Sequence, residues 1–296
     1  MINKKRIINL MLIFFIVLQV GCANGVSDKE EIKQETEIME QLDKIIQNGN
    51  KMDKVIDFIN SNISLVSREN ASKMINMLEK EQEKKLALLE EKFYSKDFQE
   101  RFIKLYGSGF DINNIKDLQD EELKKLILET TTEGYRIETA EGYFFPIIDY
   151  ESYKKYSSYV TDDIKEYINI MSLESTKVPA KDAALIIGWN EVIERAINQE
   201  RFIKNYPNSA KINEIKQLYK KYLGFILYGV DNTPIFNEDG LILKDVKNTY
   251  IQVIKSYKVS GVTEIIKDYI DILQNNNDKI TNDADKFRQI VIDSIK

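Results

Sequence analysis

The stretch "QERFIKLY" at 99–106 recurs as "QERFIKNY" at 199–206, with seven of eight letters shared, and its reading decides the fold. Ungapped alignment of 99–123 with 199–223 gives 13 identities in 25 positions, among them Ile112/Ile212, Ile115/Ile215, Leu118/Leu218 and Leu123/Leu223. A second pair, "IKEYINIM" at 164–171 and "IKDYIDIL" at 266–273, has five identities and three conservative exchanges. A third echo, "VIDFI" at 55–59, precedes "VSRENA" from Val66 as the other two precede "VPAKDA" from Val178 and "ITNDADK" from Ile280. Ser67 and Thr281 suit N-caps, and Pro179 suits a first helical turn, so each echo predicts a helix start.

This spacing predicts a mainly α fold, a tandem duplication of a ~100-residue helical unit in an α-solenoid-like stack. The divisions are N-terminal capping helices at 35–65, unit 1 at 66–177, unit 2 at 178–279 and a C-terminal capping helix at 280–296. Each unit should carry one short β-hairpin, at Glu141-Gly142 and at Asp239-Gly240, since such pairs between β-prone runs are hairpin turns. Ile164, Tyr167, Ile168 and Met171 repeat at helical spacing behind Thr161 and bury one face. Leu185, Trp189, Val192, Ala196 and Ile203 do the same further on. In "QERFIKxY" the Phe and Ile should enter the core, while Gln, Glu, Arg and Lys face water or pair locally. The junction "FIKNYPNS" resembles the helix-turn-helix corner of tetratricopeptide-type repeats, which implies helical-hairpin packing over about ten residues. There, Asn208 or Ser209 should cap the following helix.

Composition agrees with helices: 43% apolar residues, 12 glycines and only 4 prolines in 296 residues. The chain has no histidine and one cysteine, Cys22. That excludes intrachain disulfides, Cys-rich zinc sites, and Ser-His-Asp or Cys-His catalysis. A formal charge of −6 gives no electrostatic footprint for nucleic acid, so none is expected as a partner.

The start of the chain reads differently. "MINKKR" is basic, "IINLMLIFFIVL" is apolar but shorter than the about 20 residues of a membrane span, and "LQVGC" follows. "LQVGC" resembles the lipobox of bacterial lipoproteins, with Gln19 where the pattern has an apolar residue. The resemblance implies that 1–21 is a lipoprotein signal peptide and that Cys22 takes diacylglycerol and a further acyl chain such as palmitate. The bilayer, on the extracytoplasmic side of the cell membrane, is then one partner; two or more chains hold a protein stably. Removal of Lys4, Lys5 and Arg6 would take the charge from −6 to −9. Residues 22–34 read as a polar tether, of which twelve residues would reach about 40 Å if extended.

Candidates for chemistry are few. Tyr150, Tyr153, Tyr156 and Tyr159 stand at steps of three; on an α-helix such a row spirals and suits packing better than a sugar platform. "EKEQEKKLALLEEKF" at 79–93 reads as the charged face of a long helix rather than a coiled-coil arm. "DINNIKDLQDEE" from Asp111 and Asn275–Asp285 fail as calcium loops at positions five and six, and no phosphate-cradling glycine loop is present. No cofactor is expected. Glu174-Ser175 resembles the Glu-Ser pair of lysozyme-like transglycosylases, in which one glutamate is acid and base, although "TKVPAKDAALIIGW" replaces that family's downstream Gly-Leu-Met-Gln. The expectation is a membrane-anchored lipoprotein whose helical body binds or scaffolds a protein or peptide at the cell envelope, with no catalytic residues. The alternative is a cell-wall hydrolase working through carboxylates.

Overall fold

The computed structural model describes residues 24–95, 97–107, 115 and 118–295, without the side chains of 24–28. The fold is mainly helical with a few short antiparallel strand pairs. Helix α1 (Asn24–Gln47) packs on α2 (Met52–Asn62) through Ile38 and Leu42, and α2 buries Met52, Val55 and Ile59 on one stripe. The segment expected to be an extended tether is therefore helical from Asn24, and its polar side chains from Lys29 to Gln34 are exposed. Helical rise brings its reach to under half the extended length.

Helix α3 (Arg68–Tyr94) is the spine of the first half. Its start is tied to α1 by Glu35, which accepts from the Ser67 backbone N–H at 2.7 Å and the Ser67 hydroxyl at 2.8 Å. Those bonds, with one from Asn70, hold the Glu35 carboxyl below its ordinary range although burial pushes it up. Leu89 and Phe93 are buried at the far end of α3, and Leu86 packs against the same core. Helix α4 (Phe98–Gly107) carries the first octapeptide, and α5 (Glu121–Thr132) is capped by the Asp120 carboxylate, which accepts from Leu123 N–H at 3.0 Å.

Gly134 (φ +81°) then turns the chain into the hairpin of β1 (Tyr135–Ala140) and β2 (Tyr143–Ile148). Its register runs from Tyr135↔Ile148 to Ala140↔Tyr143, with Glu141 and Gly142 at positive φ in the turn, as the sequence leads one to expect. A side chain at 134 would be strained at this φ and would displace the Gln82 amide, which donates to Glu133 and Gly134 carbonyls at 2.9 and 3.2 Å. Gln82 also takes the Tyr153 hydroxyl, and its own carbonyl takes the Tyr135 hydroxyl at 2.8 Å.

The tyrosine row lies on a 3-10 helix, Tyr150–Tyr156, and not on an α-helix. Three residues per turn eclipse positions i and i+3, so Tyr150, Tyr153 and Tyr156 share one face and are all buried, while Tyr159 beyond the helix is 38% exposed. Tyr150 (2.6 Å) and Tyr167 both donate to the buried Glu79, whose second oxygen is ion-paired with Lys211 at 2.6 Å.

Helix α6 (Asp162–Thr176) follows, burying Ile164, Tyr167, Ile168 and Ile170. The expected helix start at Pro179 is instead a two-residue hairpin, β3 (Ala180–Lys181) with β4 (Ala184–Leu185), turned by Asp182 and Ala183 at positive φ. Leu185 thus belongs to a strand, and α7 runs from Trp189 to Asn205. Helix α8 (Ile212–Tyr228) folds back on α7 through the "YPNSAK" corner, where the Ser209 hydroxyl accepts from Lys211 N–H at 3.2 Å. Gly229 (φ +74°) ends α8 as Gly134 ends α5. The hairpin expected at Asp239-Gly240 is reduced to a single bridge, Phe236↔Ile242, beside the small pair β5 (Gly229–Val230) and β6 (Thr233–Pro234). Helices α9 (Lys244–Ser256), α10 (Gly261–Gln274) and α11 (Asn282–Ser294) complete the chain; Ser260 and Thr263 form a capping box on α10, and Thr281 caps α11.

Two apolar clusters result. The first runs from Ile38 to Ile170 and also takes in Phe202 and Ile215; the second runs from Ile187 to Val291. The packing seam therefore passes through α7 and α8, with Ile203 and Leu218 touching both clusters.

Candidate functional site

A half-open cleft of about 300 Å³ lies where α6 faces α7. From α6 it receives Glu166, Asn169, Ile170, Leu173 and Glu174, the i, i+3, i+4, i+7, i+8 stripe of a single helix face. From α7 come Arg195, Asn198, Gln199 and, at the rim, Arg201. The wall of α6 belongs to the 66–177 stretch and that of α7 to 178–279, so the cleft spans both expected units.

Its floor is a buried polar cluster. Arg195, only 3% exposed, donates from Nη1 to Glu174 Oε1 at 3.1 Å and to the Tyr222 hydroxyl at 3.0 Å. Its Nη2 donates to the Lys177 carbonyl at 2.9 Å and to Glu191 Oε1 at 2.7 Å. The Tyr222 hydroxyl donates to Glu174 Oε1 at 2.6 Å. Lys177 pairs with the other oxygen of Glu191. Two arginine and lysine charges thus meet two carboxylate charges, and the floor is electrically balanced.

Burial dominates the Glu174 carboxyl and pushes it above its ordinary range, against the opposing pull of Tyr222 and Arg195. Glu191 moves the other way: burial would raise it, but Lys177 and Arg195 together hold it low. Burial and the neighbouring Glu174 push the Tyr222 hydroxyl up, so it remains a proton donor.

Three polar atoms on this floor are buried with no protein partner: Arg195 Nε and both amide atoms of Gln199, a residue 1% exposed. Residues 195 and 199 are one turn apart on the same face of α7. An unsatisfied buried polar group is destabilising, so such a concentration marks a place that is incomplete on its own.

Sequence reasoning singled out Glu174 through the Glu-Ser pair but missed Arg195, Gln199 and Tyr222. The i, i+4 ladder Glu191–Arg195–Gln199 was visible in the sequence; that it is buried depends on α6 and α8, which no local pattern reports. Of the other singled-out residues, Cys22 lies outside the described residues. So does half of the stretch 111–122, while Asn277 and Asp278 form a positive-φ turn in which Asp278 pairs with Lys247. Among the described residues no group of three acidic, histidine or cysteine side chains is placed to hold a metal.

No protein-family profile matches this chain. Comparison with curated proteins and with solved structures likewise finds no significant match. The site is therefore read from its own chemistry.

The second octapeptide departs from expectation. Gln199 and Glu200 are buried, not solvated: Glu200 accepts from Gly261 N–H at 2.8 Å and Val262 N–H at 3.4 Å at the start of α10. Ile103 of the first copy, expected in the core, is 53% exposed. Arg201 pairs with Glu166 at 3.2 Å across the cleft rim.

Proposed function

We infer that this chain is a lipid-anchored, extracytoplasmic protein of the bacterial cell envelope whose helical body binds or scaffolds a protein or peptide partner. The observation that carries the binding half is the cleft between α6 and α7, which has unpartnered polar atoms on its floor. Stacked helices with a groove between them suit recognition of an extended or helical segment. The anchoring half rests on the "LQVGC" leader and Cys22. Among the described residues no helix is long and apolar enough to cross a membrane. A duplicated origin for the two halves is supported by the repeated sequences and by the recurring order of helix, positive-φ glycine and strand pair, α5–Gly134–β1/β2 and α8–Gly229–β5/β6.

Hydrolysis of the cell wall is the competing reading, favoured by one observation, the raised carboxyl of Glu174 in a half-open cleft. The geometry argues against it. The second carboxylate of the cleft, Glu166, sits on the same helix eight residues away, about 12 Å along the axis, whereas glycosidic pairs face each other about 5–9.5 Å apart. Both are also engaged by arginines.

Two experiments test the anchoring half and the competing hydrolase reading separately. Cells expressing the Cys22→Ala chain should take up no labelled fatty acid into this protein, and unchanged labelling ends the lipoprotein reading. Zymography on peptidoglycan should show no clearing; clearing abolished by Glu174→Gln would establish the hydrolase instead.

A further inference from the structure

The cleft floor also specifies what it lacks. Arg195 Nε supplies a donor, Gln199 Nε2 a second donor and Gln199 Oε1 an acceptor, all buried and unpartnered. A complement must therefore offer a carbonyl oxygen and an N–H close together. Formal charge on the complement is disfavoured, because Arg195 and Lys177 are already matched by Glu174 and Glu191. At the rim, Arg201 is matched by Glu166. Among the residues lining the cleft, both arginines and both glutamates are already paired, so an added carboxylate or ammonium would find no unpaired charge in the lining to meet it.

Resting on the binding function above, we propose that the α6/α7 cleft holds one uncharged residue of an extended peptide by its backbone. The carbonyl of that residue accepts from Arg195 Nε and Gln199 Nε2, and the N–H of the same residue, which points to the same side of an extended chain, donates to Gln199 Oε1, as Phe144 does to Gln99. Gln199 and Arg195 both line the cleft, and the soft terminal torsion of glutamine lets its amide turn to meet a ligand seated there. The neighbouring side chain of the peptide packs on Leu173, the exposed apolar residue of the wall, and on Ile170. Aliphatic walls select a peptide over an amino sugar, whose single N-acetyl amide points its carbonyl and N–H in opposite directions. Sugar sites use an aromatic face, and the described lining of this cleft contains none.

The test follows the glutamine side-chain amide and leucine backbone resonances of the full chain in detergent micelles, labelled with nitrogen-15 at glutamine and leucine. The Gln199 pair is assigned by its loss in Gln199→Leu. N-acetyl-leucine N′-methylamide, a residue with a peptide group on either side, should shift that pair in a saturable manner. N-acetyl-leucine with its free carboxylate should bind about tenfold more weakly, and Gln199→Leu should lose about tenfold in affinity measured by a backbone reporter at Leu173. Melting of Gln199→Leu at or above the parent temperature shows that the loss is not unfolding. In Leu173→Ala the preference for the leucine compound over its glycine counterpart should disappear.

The proposal is overturned if N-acetylglucosamine shifts the Gln199 pair as well as the blocked leucine does. It is equally overturned if neither compound shifts it, or if Gln199→Leu binds like the parent. Crosslinking in cells from a photoreactive residue at Val259, which is exposed and outside the cleft, separates the two levels of the argument. Capture of one envelope protein there, with no peptide-group binding, leaves the binding function standing while ending this assignment. Absence of both ends both.

Discussion

The two copies of QERFIK share six letters and almost no duties. In the first, on α4, Gln99 does the structural work: its amide donates to the carbonyls of Phe93 (2.9 Å) and Phe144 (2.8 Å) and accepts from Phe144 N–H at 2.9 Å, fastening the hairpin to α3. In the second, on α7, Gln199 has no protein partner and Glu200 takes over, holding the start of α10. Glu100, its counterpart, is exposed. Arg101 binds the α5 cap Asp120, whereas Arg201 reaches across the cleft to Glu166. Only the phenylalanine is constant: both Phe102 and Phe202 are fully buried and both serve the first core cluster. A repeated phrase thus fixes where a helix inserts its ring, while the surrounding elements decide what its polar letters do.

The constant letter gives the largest expected effect. Phe102 stacks between Phe93 (5.4 Å) and Phe144 (5.1 Å), and Phe202 lies against Tyr206 at 5.2 Å. Truncation of either to alanine should cost about 3–5 kcal/mol, read as a drop in denaturant midpoint. A cost below about 1 kcal/mol at one site would show that the rings are not equivalent core members.

Next comes the glutamate pair. Glu200→Ala should destabilise by about 1–2 kcal/mol, because the α10 amides it serves lose a charged acceptor. Glu100→Ala should stay within about 0.5 kcal/mol, as exposed positions do. Hydrogen exchange would locate the Glu200 effect at Gly261 and Val262; protection unchanged there would mean that the cap is made by Ser260 alone. Gly261 belongs to the same device, since a Cβ on it would overlap Glu200 Oε1.

The glutamines should differ in sign. Gln99→Leu removes three hydrogen bonds and strands Phe144 backbone groups, a loss of about 1–3 kcal/mol. Gln199→Leu removes an unsatisfied amide and should be neutral or stabilising by thermal melting. If both variants lose stability alike, Gln199 has a partner and the comparison fails at its sharpest point.

What the sequence made legible divides along the same line. Local chemistry was readable: the Glu141-Gly142 turn, the Thr281 cap and the buried Ile164, Tyr167 and Ile168 of α6 all lie where their letters place them. Features that depend on packing were not. Steps of three in the tyrosine row suggested an α-helix, whereas the row forms a 3-10 helix whose Tyr150 and Tyr153 bond Glu79 and Gln82 on α3, about seventy residues earlier. Pro179 is as compatible with a strand entry as with a first helical turn, and Asp182-Ala183 settled it by adopting positive φ. The Arg195 cluster needed Glu174 from α6 and Tyr222 from α8, so its letters looked like surface charge.

The smallest expected effect concerns the arginines and turns on pH. Asp120 is held below its ordinary range chiefly by the Arg101 guanidinium, against some burial, and further by the Leu123 N–H it caps. A carboxyl lowered in the folded state stabilises above its unfolded pKa, about 3.9 for aspartate, and that contribution disappears as pH falls through the lower folded value. Arg101→Met brings the folded pKa of Asp120 back toward the unfolded one, so the chain should lose stability at pH 6 and lose less than the parent between pH 4 and pH 2. Arg201→Met, whose partner Glu166 lies on the cleft rim, should leave that acid limb unchanged. Urea midpoints at pH 6, 4 and 2 for the two variants decide it. Parallel curves for Arg101→Met and the parent would show that Asp120 caps α5 without its arginine, and the two arginines would then be as interchangeable as their identical letters suggest.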